Sequence, residues 1–90
     1  MTTERVHKLK TVQPFFDDVK YGRKEFELRK DDRGFSVGDR LDLYEGTKDI
    51  HPDFELREHL HRYVKYKLTG GQYGLEEGYC ILGLSMEPVL

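Results

Sequence analysis

Gly22-Arg23-Lys24-Glu25-Phe26-Glu27-Leu28-Arg29-Lys30-Asp31-Asp32-Arg33-Gly34-Phe35-Ser36-Val37-Gly38-Asp39 is the stretch on which the fold turns. From Lys24 to Lys30 it alternates with the period of a β-strand. Phe26 and Leu28 project to one side; Glu25, Glu27 and Arg29 project to the other. Asp31-Asp32-Arg33-Gly34 reads as a turn and Val37-Gly38-Asp39 as a second one. Periodicity places Phe26 and Leu28 in the core. The charged side then has two readings. It is either a solvated strand face laced with ion pairs, or the wall of a polar cleft in which carboxylates accept N–H groups and guanidinium forks grip phosphate or stack on a base.

Upstream, Arg5 to Thr11 reads as a strand carrying Val6 and Leu9. Thr11-Val12-Gln13-Pro14 leads into a short helix, because proline is favoured in a first helical turn. Phe15, Phe16 and Val19 form its apolar stripe, Asp17 and Asp18 lie near its positive end, and Gly22 closes it. Downstream, Leu41 and Leu43 alternate with Asp42 and Tyr44 in a third strand. Residues 46–58 are polar and aperiodic, a surface loop with a helical turn around Asp53–Glu58. Leu60 to Leu68 is a fourth strand, with Arg62, Val64, Tyr66 and Leu68 on one face and His61, Tyr63, Lys65 and Lys67 on the other. Tyr79 to Met86 is mostly apolar, as expected of a central strand buried on both sides. Five short strands and one early helix predict an α+β chain built on a small, curved or closed mixed sheet. Its core should contain Leu9, Phe15, Phe16, Val19, Phe26, Leu28, Leu41, Leu43, Val64, Leu82 and Leu84.

Length and composition bound the functions available. Ninety residues make one domain, 1–90, with charged residues at 36% and hydrophobic ones at 37%. Five Phe and 6 Tyr are enough to anchor a core. Collagen, coiled coil and zinc ribbon are excluded. No apolar run approaches the roughly 20 residues of a membrane span. Met1-Thr2-Thr3-Glu4-Arg5 lacks the apolar stretch of a signal peptide. Cys80 stands alone, so no internal disulfide forms and a cytoplasmic, reducing location is expected. The formal net charge is −2, with +2 in residues 1–40 and −4 in residues 41–90. That balance disfavours tight, non-specific binding to long nucleic acid.

Other candidates for chemistry are weak. His59 and His61 share a strand face, and a metal would need His51, His7 or a carboxylate as third ligand; no metal and no cofactor are expected. Cys80, in an apolar strand, reads as a buried inert thiol. Phosphate-binding loops, serine-hydrolase elbows and dinucleotide fingerprints are absent.

Several segments together resemble a known family. His7-Lys8-Leu9-Lys10-Thr11, Pro14-Phe15-Phe16-Asp17-Asp18-Val19, the Gly22–Arg33 run, Val37-Gly38-Asp39 and Gly74-Leu75-Glu76-Glu77-Gly78-Tyr79 look like the small bacterial and phage proteins of DUF3850. That family is similar to the ASCH domains of the PUA-like superfamily. The resemblance covers nearly the whole chain except residues 46–61. It implies a PUA-like (ASCH-like) barrel of five or six strands beside an early short helix. It also implies binding of RNA or a nucleotide, in a cleft built by Gly22, Lys24, Glu27 and Arg29 with His7 and Lys10 from the first strand. Some ASCH-like proteins hydrolyse acylated nucleosides through a lysine, a threonine and a glutamate. Lys24 matches that lysine, whereas Glu27 stands where the threonine would fall.

Three functions follow for comparison. The first is a binding module: Lys10, Lys24, Arg29 and Arg33 meet phosphates or stack on bases, Glu27 and Asp31 accept base N–H groups, and Tyr44, Tyr63 or Tyr73 offers a stacking surface. The second is a small amidohydrolase acting on a modified nucleoside, with Lys24 as base or nucleophile and Glu27 orienting it. The third is a phage or bacterial protein-interaction factor using the 46–61 loop on a PUA-like scaffold. A monomer binding RNA or a nucleotide-like small molecule heads the list.

Overall fold

A computed structural model of the chain describes residues 5–46 and 57–89. The elements run β1 (Val6–Thr11), α1 (Phe15–Lys20), β2 (Phe26–Lys30), β3 (Arg40–Glu45), β4 (His59–Thr69) and β5 (Tyr79–Ser85). The expected helical turn around Asp53–Glu58 falls largely outside the described residues. The five strands form one mixed sheet in the order β1-β3-β4-β5-β2. β1 pairs parallel with β3, and the other neighbours are antiparallel. The sheet curls into a half-barrel around the core, leaving β1 and β2 as its two edges.

The core lies on the concave side. Leu9 of β1, Leu41 and Leu43 of β3, Val64 of β4, and Cys80, Leu82 and Leu84 of β5 are buried there. Phe16 and Val19 of α1 complete it. Phe35, alone between two turns, is also buried in it, a core residue that no periodicity marks. α1 starts one residue after the expected position. Pro14 occupies the N-cap, after a cis Gln13–Pro14 bond. Asp17 and Asp18 lie in the first turn as expected, and Gly22 takes a left-handed φ of 79° after the C-cap.

Three expectations for the core need correction. Phe26 is 45% exposed, Leu28 55% and Phe15 49%. The alternation along β2 is as read, but its sense is inverted: Glu27 is only 3% exposed and the apolar face looks outward. The concave side accepts Glu27 because two cations meet it there, and a paired buried charge is tolerated where a lone one is not. Phe15 shares its helix with Phe16 but projects from the other side, so only Phe16 and Val19 reach the sheet.

β4 also departs from simple alternation. A bulge between Val64 and Tyr66 places two residues, Lys65 and Tyr66, where one would stand. The phase therefore shifts. Tyr66 leaves the Val64 face for solvent, and Lys67 turns inward to donate to the Phe35 carbonyl at 2.8 Å and pair with Asp31 at 2.8 Å. β5 lies between β4 and β2 as expected of a central strand, but it is buried on one face and half-buried on the other.

Candidate functional site

The edges β1 and β2 share no ladder, and arginine side chains span the seam between them. Carbonyls along a strand alternate in direction. Those of Arg5 and Thr11 accept from Arg40 and Gly46 on the β3 side. Those of Lys8 and Lys10 therefore face the seam. Arg29 Nη2 donates to the Lys10 carbonyl at 2.7 Å and to Thr11 Oγ1 at 3.1 Å. Arg33 Nη1 donates to the Lys8 carbonyl at 3.1 Å. Arg5 reaches back to the carbonyls of Arg33 and Gly34 at 3.2 and 3.1 Å. A guanidinium offers five donors in a fixed fork, so it occupies edge carbonyls that a neighbouring strand would otherwise take.

Glu27 holds this seam from within. Its Oε1 accepts from Lys24 Nζ at 2.9 Å, and its Oε2 accepts from Arg29 Nε at 3.0 Å. Lys24 Nζ also lies 4.9 Å from the centre of the Phe26 ring and 5.6 Å from that of Phe15, a cation–π arrangement. Lys10, Thr11, Val12, Phe15, Lys24, Glu27, Leu28 and Arg29 line one open cleft of about 210 Å³. Lys24 and Arg29 stand in that lining with one carboxylate, Glu27, that serves both, while Lys10 turns its carbonyl to Arg29 and packs its side-chain stem over Gly46. The cleft is net positive, with one apolar wall.

Of the residues singled out from the sequence, the seam thus brings together Lys10, Lys24, Glu27 and Arg29, with Gly22 in an adjoining depression beside Lys24. Three others lie outside this cleft. His7 is buried, with Nε2 2.9 Å from Asp39 Oδ2 and its ring edge-on to Phe35 at 4.8 Å. Asp39 also accepts from the Ser36 backbone N–H, so this pair fixes the second turn. Asp31 pairs with Lys67, while its Oδ1 is buried with no hydrogen-bond partner among the described residues. Arg33 lines a neighbouring cleft of about 230 Å³ with Leu28, Arg29 and Asp32. Thr11 and Phe15 join the cleft although the sequence did not mark them for it. The signal that could have found Thr11 is its parity with Leu9 on β1, which turns both inward.

The candidate stacking tyrosines do not meet at the cleft. Tyr44 is buried and stacks on His59 at 5.0 Å, Tyr63 meets His61 edge-on at 5.9 Å, and Tyr73 is exposed in a turn with φ of 52°. His51 lies outside the described residues. Among the described residues no group of three His, Cys, Asp or Glu side chains converges as a metal site would require. No helix among them is long and apolar enough to cross a membrane.

Cys80 is buried, and burial first, then the charge of Asp31, pushes its thiol up. The thiolate is the reactive form. Native protein at pH 8 should therefore react with an aromatic disulfide reagent far more slowly than protein in denaturant. Equal rates would show that β5 is not covered.

A family model described as "Domain of unknown function (DUF3850)" matches residues 6–84, from the first residue of β1 to the penultimate residue of β5. No curated protein matches the chain.

Proposed function

The chain belongs to the DUF3850 family, and from its seam cleft we propose an RNA- or nucleotide-binding module on a PUA-like barrel. One observation carries the reading. Lys24 and Arg29 converge on a cleft with an apolar wall of Val12, Phe15 and Leu28, and its sole carboxylate is committed to these two cations. Such a lining suits a ligand that joins an anionic group to a flat or apolar one, as a nucleotide does. Glu27 is too deeply buried to read a base edge, so its role is to hold the two cations in position. Arg29 Nη1 and the remaining Lys24 protons are the groups offered to the anion, and the Phe15 ring is the surface offered to the base. A reducing, cytoplasmic setting fits the single buried thiol.

The amidohydrolase reading has one specific observation in its favour. Thr11 Oγ1 shares the cleft with Lys24 and Glu27, linked to them through Arg29, so lysine, threonine and glutamate do converge. Lys24 Nζ is held at 2.9 Å by the Glu27 carboxylate, a partner that positions it as a contact to an anion. Binding is therefore the stronger reading.

Titration with nucleoside monophosphates and four-nucleotide RNA at two salt concentrations tests it. Arg29→Ala should weaken binding at least tenfold, about 1.4 kcal/mol, while Arg23→Ala, on an exposed side chain paired with Asp18, should leave it unchanged. If nothing binds the parent at low salt, the reading fails and the protein-partner function replaces it. Incubation with an acylated nucleoside, followed by product analysis, separates binding from hydrolysis.

A further inference from the structure

The outward faces of β2, β5 and the second half of β4 form one uncovered surface. Residues directly opposed in an antiparallel pair share a face. Phe26 stands opposite Gly83, and Gly83 opposite Tyr66; the next row is Leu28, Ile81 and Leu68. Phe26 is 45% and Tyr66 64% exposed. α1 packs its buried residues into the concave core and leaves this side open. Gly83 has no side chain, so a trough runs between Phe26 and Tyr66, two strand spacings or roughly 10 Å apart. The β4 bulge sets Lys65 beside Tyr66 at the trough. A β-carbon on Gly83 would lie 3.2 Å from Tyr66 Cβ and 3.7 Å from Lys65 Cγ.

Charge selects the occupant. None of the outward strand positions here is Asp or Glu. Lys30 and Lys65 have no ion-pair partner among the described residues. Lys24 Nζ stands 4.9 Å from the Phe26 ring. Two copies of this face brought together would oppose like charges, whereas a polyanion would neutralise them. Exposed aromatic rings interleaved with lysines on a sheet are the arrangement that takes unpaired bases and their phosphates. We propose that this face is a stacking platform for a short single strand of nucleic acid. Bases lie on Phe26 and Tyr66, and phosphates run along Lys30 and Lys65. It is a second surface beyond the seam cleft, bordered by the same Lys24 and Leu28.

Fluorescence anisotropy of a labelled eight-nucleotide oligouridine tests the platform, with adenosine monophosphate titrated in parallel as the probe of the cleft. The parent should bind the oligomer. Tyr66→Ala should weaken it at least about fivefold. Lys65→Glu should weaken it and flatten its salt dependence. Both should leave the mononucleotide titration unchanged, and the exposure of both side chains predicts parental melting curves. Oligomer binding that depends on Tyr66 supports the platform even if the mononucleotide fails to bind, in which case only the cleft reading falls. No oligomer binding by the parent, or equal binding by parent and both variants, overturns it. A concentration-dependent dimer in sedimentation that Tyr66→Ala abolishes also overturns it, since the face would then be a contact between copies.

Discussion

Replacing Glu27 by alanine should cost about 3 kcal/mol of folding free energy, at the lower end of the range for removing one partner from a buried ion pair. Glu27 is 3% exposed and accepts from both Lys24 and Arg29. Without it, two cations remain side by side with no counter-charge between them. Lys24 and Arg29 keep partial contact with water, which relieves some of the penalty and sets the lower end. The seam should loosen as well, because Arg29 is aimed at the Lys10 carbonyl by its bond to Glu27. Glu27→Gln keeps the shape and one acceptor but not the charge, so it should fall between the parent and Glu27→Ala. Urea unfolding of the three proteins checks the order. A loss under about 0.5 kcal/mol for Glu27→Ala, the usual range for a surface change, would place the carboxylate in solvent.

Phe16→Ala should cost about 3–5 kcal/mol, and Phe26→Ala much less. The Phe16 ring is 0% exposed and packs among the buried residues of the sheet. Phe26 is nearly half exposed on the outer face and loses only partial burial and its contact with Lys24. For a domain of this size the first loss is a large share of total stability. Thermal or urea unfolding of the two variants compares them directly. The reverse order would mean that β2 turns its apolar side to the core after all.

That contrast marks where the sequence was legible. Alternation along Lys24–Lys30 locates the strand, which begins two residues later at Phe26, and divides Phe26–Lys30 correctly into two faces. It does not say which face is inside, because the usual answer assumes that charge seeks water. Here the charged face is self-compensating. Lys24, Glu27 and Arg29 satisfy one another, and Arg29 has further work at the Lys10 carbonyl of the opposite edge. That partner is 19 residues away in sequence, and nothing local announces it.

The remaining differences share this origin. Val64 is buried as its parity predicts, but the bulge after it turns Tyr66 out and Lys67 in. Phe35 stands alone between two turns, and its burial depends on His7 and the curl of the sheet. The helix stripe was readable for Phe16 and Val19 and not for Phe15, because a helix this short presents only one turn to the sheet. For the cleft, Lys10, Lys24 and Arg29 were readable from the resemblance, but strand parity supports only Arg29; Lys24 has the parity of Phe26 and reaches the cleft because β2 begins after it, and Lys10 has the parity opposite to Leu9 and Thr11. The grouping of His7 with them was not, since it depends on whether that ring turns to the seam or to Asp39.

The most direct test of the cleft is the map of backbone amide shifts as adenosine monophosphate is added to the labelled protein. The account predicts saturable shifts at Lys10, Thr11, Val12, Phe15, Lys24, Leu28 and Arg29, and their disappearance in Arg29→Ala. Shifts confined to the His7–Asp39 turn or to the far end of β4, or no shifts at millimolar nucleotide and low salt, would contradict it.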